Sequence, residues 1–215
     1  CTYCNFHFKI SQKDKIELIK CLKKEIIQRK KELNKQKIKT IYFGGGTPSI
    51  LKNSELEELL DVIFKHHKTI NSPEITIECN PEDINYEKLS AYKKIGFNRL
   101  SIGVQSFNNN ELKFMNRSHD SKLAIQSILL AKKIGFKNIS IDLIYGIPNQ
   151  KLKDWKKNLK IMFNLNIQHF SAYILTVEKK TQLHHLIKNK KLNMLSERKI
   201  INQFKLLKLE AKKNG

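Results

Sequence analysis

The chain has 215 residues, enough for one large domain or two small ones and for a full hydrophobic core. Its formal net charge is +21, with 41 Lys and Arg against 20 Asp and Glu. No apolar run approaches the length of a membrane span, and no stretch has the pattern of a secretory signal peptide. The four cysteines are unevenly spaced, which disfavours a secreted disulfide framework and favours a cytoplasmic, reducing compartment.

The positive charge raises the hypothesis of a basic nucleic-acid-binding module. The lysines, however, are spread in pairs over nearly every predicted helix, as in Lys23-Lys24, Lys132-Lys133 and Lys190-Lys191. They are not interleaved with exposed aromatic residues, as a groove for a nucleic-acid strand would require. We therefore expect weak, nonspecific attraction to polyanions and no specific nucleic-acid partner, and the module is kept as a distant alternative.

Helical and strand patterns alternate along the chain. Helices are predicted over 12–33, 54–65, 86–94, from 109, over 121–134 and 153–165 and from 196, and strands over 38–43, 74–79, 99–104, 138–143 and 169–175. Ser11 is the predicted N-cap of the first helix, and Ser54-Glu-Leu-Glu57 reads as a capping box. Gly96 and Gly135 each follow a helix and are predicted C-caps. Such alternation predicts βαβ units and a parallel sheet.

Five strands are visible, and the loop at Cys1 would suit the end of a sixth strand before it. The predicted fold is therefore α/β, a partial (β/α)6 barrel truncated at both ends. Residues 1–180 would form the core without its first strand, and residues 181–215 would begin a C-terminal helical region. Polar residues at the carboxyl ends of barrel strands are the candidates for a functional site.

The first motif is Cys1-Thr-Tyr-Cys4, which places two thiolates on one tight loop. Such a pair suits an iron–sulfur cluster, half of a zinc site or a redox-active dithiol, and the motif alone does not separate them. His66-His67 and His184-His185 lack the spacing of a second zinc pair, and no second CxxC follows. Cys21 and Cys79 are interpreted as small buried hydrophobic residues.

The second motif, Gly44-Gly-Gly-Thr-Pro48, follows a predicted strand. Three glycines allow positive φ and close approach of the backbone to a ligand, although a tight βα turn explains them equally well. The motif is not a P-loop, because no Gly-Lys-Ser or Gly-Lys-Thr follows it.

Four further polar residues are candidates, three of them at or near the end of a predicted strand. Glu78 can bind ribose hydroxyls or an ammonium group, or it can cap or pair within the protein. Gln105 lies just past a strand, and Arg117 can clamp a carboxylate, although a surface arginine is the simpler interpretation. Asp142 lies inside a strongly apolar strand, where a carboxylate is rarely buried without a partner.

Together these motifs resemble the radical S-adenosylmethionine family that contains the oxygen-independent coproporphyrinogen III oxidases and the HemW haem chaperones. The resemblance runs from Cys1 to about Glu178, with the motifs in family order. In that family a CxxxCxxC loop binds a 4Fe-4S cluster. Cys1 and Cys4 match its second and third cysteines, and the first would lie upstream. The implied chemistry is reductive cleavage of S-adenosylmethionine to methionine and a 5′-deoxyadenosyl radical inside a barrel that excludes water.

The resemblance also implies which residues serve the cofactors. Cys1 and Cys4 would bind the cluster, and the residues implied for S-adenosylmethionine are Tyr3, Gly45, Gly46, Thr47, Glu78, Gln105, Arg117, Asp142 and Thr176.

Within the family, the residues after Cys4 favour one branch. The oxidases that resemble this chain carry a fourth cysteine where Phe6 stands, and Cys4-Asn-Phe6 resembles the Cys-Asp-Phe of the HemW branch, with Asn5 in place of Asp. A haem chaperone would bind haem, through a motif C-terminal to this sequence, and deliver it to a receiving protein. The alternative is an oxidoreductase that decarboxylates coproporphyrinogen III to protoporphyrinogen IX with the help of an electron donor.

Overall fold

Helices and strands alternate as the sequence predicts in the computed structural model, which describes residues 1–6, 11, 13–34 and 36–215. The helices are α1 (Lys15–Gln28), α2 (Asn53–His66), α3 (Tyr86–Ile95), α4 (Asn109–Phe114), α5 (Ser121–Lys133), α6 (Leu152–Asn164), α7 (Gln182–Lys188) and α8 (Glu197–Asn214). The strands are β1 (Ile38–Phe43), β2 (Thr69–Cys79), β3 (Arg99–Gln105), β4 (Asn138–Tyr145) and β5 (His169–Ile174).

The five strands form one sheet in the order β1-β2-β3-β4-β5, and every neighbouring pair is parallel. Each connection between neighbouring strands contains at least one helix, because parallel strands need a crossover. Consecutive parallel strands with helical crossovers are the arrangement of a (β/α) barrel segment. All five carboxyl strand ends therefore lie at the same edge of the sheet.

The two faces of the sheet differ because side chains alternate along each strand. On one face, apolar residues such as Ile77, Ile102 and Ile141 pack against α2, α3, α5 and α6 and form the main core. The opposite face, called the polar face below, carries Tyr42, Glu74, Thr76, Glu78, Arg99, Ser101, Asn138, Ser140, Asp142, His169 and Ser171. The sheet thus presents hydrogen-bonding groups on one side and hydrocarbon on the other.

The helix caps show where local sequence rules held. Gly96 is the C-cap of α3, as predicted, with φ of +114°, whereas the C-cap of α5 is Ile134 and the predicted Gly135, with φ of +95°, follows it. The capping box predicted on Ser54 was wrong because α2 begins one residue earlier, so that Glu55 accepts the backbone N–H of Lys52 at 2.7 Å. The N-cap predicted at Ser11 was also wrong, since α1 begins at Lys15. The predicted helix start at residue 12 lies outside the described residues.

The C-terminal helix α8 packs against α6. Trp155 is fully buried, and its indole Nε1 donates to the backbone oxygen of Gln203 at 3.1 Å. The Gln203 side chain in turn accepts the backbone N–H of Gly146, in the turn after β4, at 3.0 Å. The short helix α7 was not predicted, because seven residues give too little periodicity. Among the described residues, no helix is long and apolar enough to cross a membrane.

Candidate functional site

The cysteine loop is held against the carboxyl edge of the sheet by backbone hydrogen bonds. Thr2 donates its N–H to the carbonyl oxygen of Met115 at 3.2 Å, and its own carbonyl oxygen accepts the N–H of Leu183 at 2.9 Å. Cys1 is exposed and Cys4 is half-buried, and both are free thiols. The loop therefore presents two cysteines between the end of α4 and the start of α7.

Arg117 connects the strand ends to this loop. Its Nη2 donates to Asn80 Oδ1 at 2.7 Å and to the carbonyl oxygen of Gly103 at 3.1 Å, while Nη1 lies 3.5 Å from Cys1 Sγ. Burial raises the pKa of Tyr3, and the neighbouring Arg117 guanidinium partly opposes that rise. The guanidinium is thus fixed between β2, β3 and the cysteine loop, and is not the free surface arginine of the simpler interpretation.

Gln105 ends β3 in a left-handed backbone conformation, with φ of +67°. Its amide Nε2 lies only 3.0 Å from the position that a Cβ on Gly103 would occupy. Asn80 Oδ1 and Arg117 Nη2 lie 3.5 and 3.7 Å from the same point. Three polar side chains therefore converge over Gly103, and glycine leaves the room that they need.

Glu78 holds the glycine loop. Its Oε1 accepts the Tyr42 hydroxyl at 2.9 Å, and its Oε2 accepts the backbone N–H of Gly45 at 3.2 Å. Gly45 and Gly46 have φ of +76° and +53°, and nothing lies within 4 Å of the Cβ positions that side chains would occupy. The loop is therefore both shaped by its glycines and open on its outer side, with Thr47 half-buried behind it.

Asp142 lies on the polar face, where it pairs in register with Ser171 of β5. Burial and the nearby Glu78 carboxylate raise the pKa of Asp142 to about 6, although a hydrogen bond with Ser171 and the charge of Arg99 oppose the rise. A carboxyl group with such a pKa is poised to change its charge when a cation or a hydrogen-bond donor binds beside it.

Thr176 is the exposed residue that follows β5 by two positions. Its hydroxyl donates to Glu178 Oε1 at 3.4 Å, and Glu178 Oε2 accepts the side-chain amide of Asn5 at 3.1 Å. The predicted site residues thus lie on the cysteine loop and at or near the carboxyl ends of the strands, except for Asp142 inside β4 and Arg117 after α4. Sequence reasoning missed Tyr42, Asn80 and Glu178, although Asn80 follows β2 directly and position alone marks it as a candidate.

The described residues do not form a complete metal site by themselves. No group of three or more His, Cys, Asp or Glu side chains there is placed to hold a metal ion. Cys79 is only 4% exposed, and burial raises the pKa of its thiol to about 12. Cys21 is exposed on α1, so the prediction that it is buried was wrong, because it lies on the solvent side of that helix.

The family model described as "Radical SAM superfamily" matches residues 1–162. The chain belongs to the radical SAM superfamily. Membership implies a 4Fe-4S cluster and S-adenosylmethionine as cofactors. The residues present fit both groups, since this radical SAM chain offers two thiols on one loop, an open glycine loop, and an Arg117 guanidinium that contacts both Cys1 Sγ and Asn80.

Curated relatives of this radical SAM chain include proteins named "Heme chaperone HemW". The protein from Bacillus subtilis (strain 168) is 34% identical over 98% of this chain and 57% of its own length. The protein from Buchnera aphidicola subsp. Schizaphis graminum is 38% identical over 96% of this chain and 54% of its own length. The chain thus spans about half the length of these relatives.

Solved structures give the same fold. The coproporphyrinogen III oxidase HemN of Escherichia coli, described as a radical SAM enzyme, has a TM-score of 0.86 and 25% identity over 100% of this chain and 50% of its own. The Elp3 protein of Methanocaldococcus infernus has a TM-score of 0.71 and 20% identity over 90% of this chain and 51% of its own. This similarity confirms the predicted partial barrel.

Replacing Gly103 with Ala is expected to weaken S-adenosylmethionine binding about tenfold, or about 1.4 kcal/mol. The new Cβ would lie 3.0 Å from Gln105 Nε2 and push that amide from its place. Equilibrium dialysis with the complete protein measures the change. In a Gln105→Ala background the same substitution should have little further effect, and full additivity of the two losses would contradict the explanation.

Proposed function

We propose that this chain is the radical SAM core of a cytoplasmic haem chaperone, which binds a 4Fe-4S cluster and S-adenosylmethionine and passes haem to a receiving protein. The observation that carries the proposal is the similarity to a curated haem chaperone over 98% of the chain. Phe6, which is 73% exposed, supports it, because the resembling oxidases carry a further cysteine at that position.

The cluster would be held by Cys1 and Cys4 together with a third thiolate from outside this pair. When bound, it supplies the electron that cleaves the sulfonium of S-adenosylmethionine. Tyr3 lies between the two thiols in sequence and packs against the apolar cluster that contains Met115 and Leu183. Arg117 stabilises thiolate charge through Nη1, which lies 3.5 Å from Cys1 Sγ.

The S-adenosylmethionine site would be built from the loop and the strand ends. The backbone of Gly45 and Gly46 and the side chain of Thr47 offer hydrogen bonds without steric hindrance. The amino, carboxylate and ribose groups of the ligand need charged and amide partners. Those partners are the side chains of Glu78, Gln105, Arg117, Asp142 and Thr176.

An oxygen-independent coproporphyrinogen III oxidase is the second candidate. The specific observation in its favour is the structural match to the Escherichia coli oxidase, with a TM-score of 0.86 over the whole of this chain. Haem and coproporphyrinogen III share a tetrapyrrole macrocycle with propionate side chains, although only haem is planar, so both candidates would use the same class of ligand. They differ in whether a bond of that ligand is broken.

The deciding experiment uses the complete protein with its cluster reconstituted without oxygen. It is incubated with S-adenosylmethionine, a reductant and coproporphyrinogen III, and separately titrated with haem and mixed with a haem-free acceptor protein. Saturable haem binding and transfer without protoporphyrinogen IX would support the chaperone. Protoporphyrinogen IX over many turnovers would make the protein an oxidase, and the absence of haem binding would contradict the chaperone proposal.

Replacing Cys1 and Cys4 with Ser is expected to abolish cluster binding, because each serine removes one thiolate ligand. Iron and sulfide content and the visible absorption of the reconstituted complete protein measure the loss. The matched control is Cys21→Ser, since Cys21 is exposed on α1 and distant in sequence from the loop. If the double variant retained a normal cluster, residues other than Cys1 and Cys4 would have to bind it.

A further inference from the structure

The backbone at Gln105 needs an explanation of its own. A left-handed conformation is costly for a residue with a side chain, and Gln105 has φ of +67°. The pairing of β3 with β4 shifts register between Ile102 and Gln105, so the regular ladder does not impose this conformation. Backbone strain of this kind persists where surrounding contacts hold the residue in place, and strained residues cluster at functional sites.

We propose that Ser106, Glu111 and Asn158 form a positioning cluster, which holds Gln105 in its left-handed conformation and thereby aims its amide at the S-adenosylmethionine site. The identity of the ligand rests on the proposed function. The role of the cluster in fixing the backbone at Gln105, called the clamp below, rests on the contacts of the cluster alone.

The cluster binds both peptide N–H groups that follow Ser106. Asn158 Oδ1 accepts the N–H of Phe107 at 2.9 Å, and Ser106 Oγ accepts the N–H of Asn108 at 2.9 Å. Glu111 Oε2 accepts the Ser106 hydroxyl and, at 3.0 Å, the amide of Asn158. The three side chains thus hydrogen-bond to one another, through one of the two Glu111 oxygens, while they fix the chain direction immediately after Gln105.

The cluster is built from three separate elements and is excluded from solvent. Ser106, Asn158 and Glu111 are 0%, 1% and 6% exposed. Burial raises the pKa of Glu111, and hydrogen bonds from Ser106 and Asn158 oppose that rise. Burying a carboxyl group is costly, and apolar residues of similar volume would stabilise the same position equally well. We therefore explain the presence of this buried polar cluster by the way it fixes the backbone at the end of β3.

The residue before Gln105 is fixed from the opposite side. The carbonyl oxygen of Val104 accepts a hydrogen bond from His119 Nε2 at 3.0 Å, and His119 Nδ1 pairs with Glu82 Oε2 at 3.0 Å. Burial alone would raise the pKa of Glu82, but hydrogen bonds from His119 and Ser118 bring it to about 2. Gln105 therefore lies between two anchored peptide groups, and the N–H of Ser106 closes the turn around it by donating to the carbonyl oxygen of Val104 at 2.8 Å.

The test compares Glu111→Leu with Glu111→Gln in the complete, cluster-loaded protein. Leucine removes the acceptor, so the dissociation constant for S-adenosylmethionine should rise about tenfold (about 1.4 kcal/mol). Glutamine retains an acceptor for Ser106 and Asn158 and should restore affinity to within about threefold of the wild type. Ser106→Ala removes only the hydroxyl and serves as the second variant if leucine prevents folding.

Leu159→Ala is the matched control, because Leu159 neighbours Asn158 on α6 but belongs to the main core. It should lower the stability at least as much as Glu111→Leu while leaving the affinity for S-adenosylmethionine unchanged. An equal loss of affinity in Leu159→Ala, or an affinity of Glu111→Leu within twofold of the wild type, would overturn the proposal.

Amide hydrogen exchange tests the clamp independently of whether the protein binds S-adenosylmethionine. The N–H groups of Phe107 and Asn108 should exchange faster in Glu111→Leu than in Leu159→Ala, whether or not a ligand binds. Faster exchange without any binding of S-adenosylmethionine to the wild type would refute the proposed cofactor while upholding the clamp. Unchanged exchange would refute the clamp itself.

Discussion

Replacing Asp142 with Asn is expected to stabilise the fold at pH 7 and, at the same time, to weaken S-adenosylmethionine binding. Folding raises the pKa of this carboxyl group from 3.8 to about 6. Each unit of such a shift corresponds to about 1.4 kcal/mol, so Asn should raise the free energy of unfolding by up to about 3 kcal/mol. The expected loss of affinity is about tenfold or more, since the ligand would lose a carboxylate partner.

The direction of the stability change follows from how the protonation of Asp142 depends on pH. Between about pH 4 and pH 6 the native state binds more protons at Asp142 than the unfolded state, so wild-type stability falls as the pH rises through this window. Asn does not ionise, and its advantage should be full above pH 6 and absent below about pH 4. Urea unfolding at several pH values measures it, with the exposed Asp61→Asn as control. Equal stabilities of wild type and Asp142→Asn at pH 7 would contradict the prediction.

Replacing Arg117 with Leu is expected to give the largest combined loss of stability and binding. The substitution leaves Asn80 Oδ1 and the carbonyl oxygen of Gly103 without their donor and removes the contact with Cys1. Unpaired polar groups of this kind cost about 1–3 kcal/mol each, so unfolding should be easier by about 2–4 kcal/mol. S-adenosylmethionine binding should be lost, which equilibrium dialysis of the complete protein measures.

Arg117→Lys distinguishes charge from geometry. Lysine retains the positive charge, but a single ammonium group cannot span three acceptors as the planar guanidinium does. We expect it to recover part of the stability while S-adenosylmethionine binding stays at least tenfold weaker. Arg198→Leu, an exposed arginine on α8, is the control and should behave like the wild type. Wild-type affinity in Arg117→Lys would show that charge alone suffices.

Local rules predicted the fold because strands, helices and glycine caps are encoded within short windows. Most misses were shifted helix starts, and one arose where a tertiary contact overruled a local signal. The strand β2 starts at Thr69, five residues before the prediction, although Asn71, Ser72 and Pro73 read as a turn. The reason is pairing with the edge strand β1, where Ile38 stands opposite Thr69.

The sequence predicted only those site residues that stand out by their position along a strand. Glu78, Gln105 and Asp142 were found because they end or interrupt apolar strands, and which of them serve the cofactors stays a prediction. The contacts of Arg117 with Asn80 and Gly103 span 37 and 14 residues and leave no periodic signal in the sequence. The cluster at Ser106 likewise joins residues up to 52 positions apart.

The attachment of the cysteine loop has a consequence for the order of assembly. Its side-chain hydrogen bonds reach Phe114 and Glu178, across 112 and 173 residues. Contacts of such high sequence separation close the largest loops and gain least from local structure, so they form late in folding. The two thiols should therefore reach their final positions only after the half-barrel is built. Iron and sulfide would then be inserted into an already folded protein, and loss of the metal should leave the sheet intact.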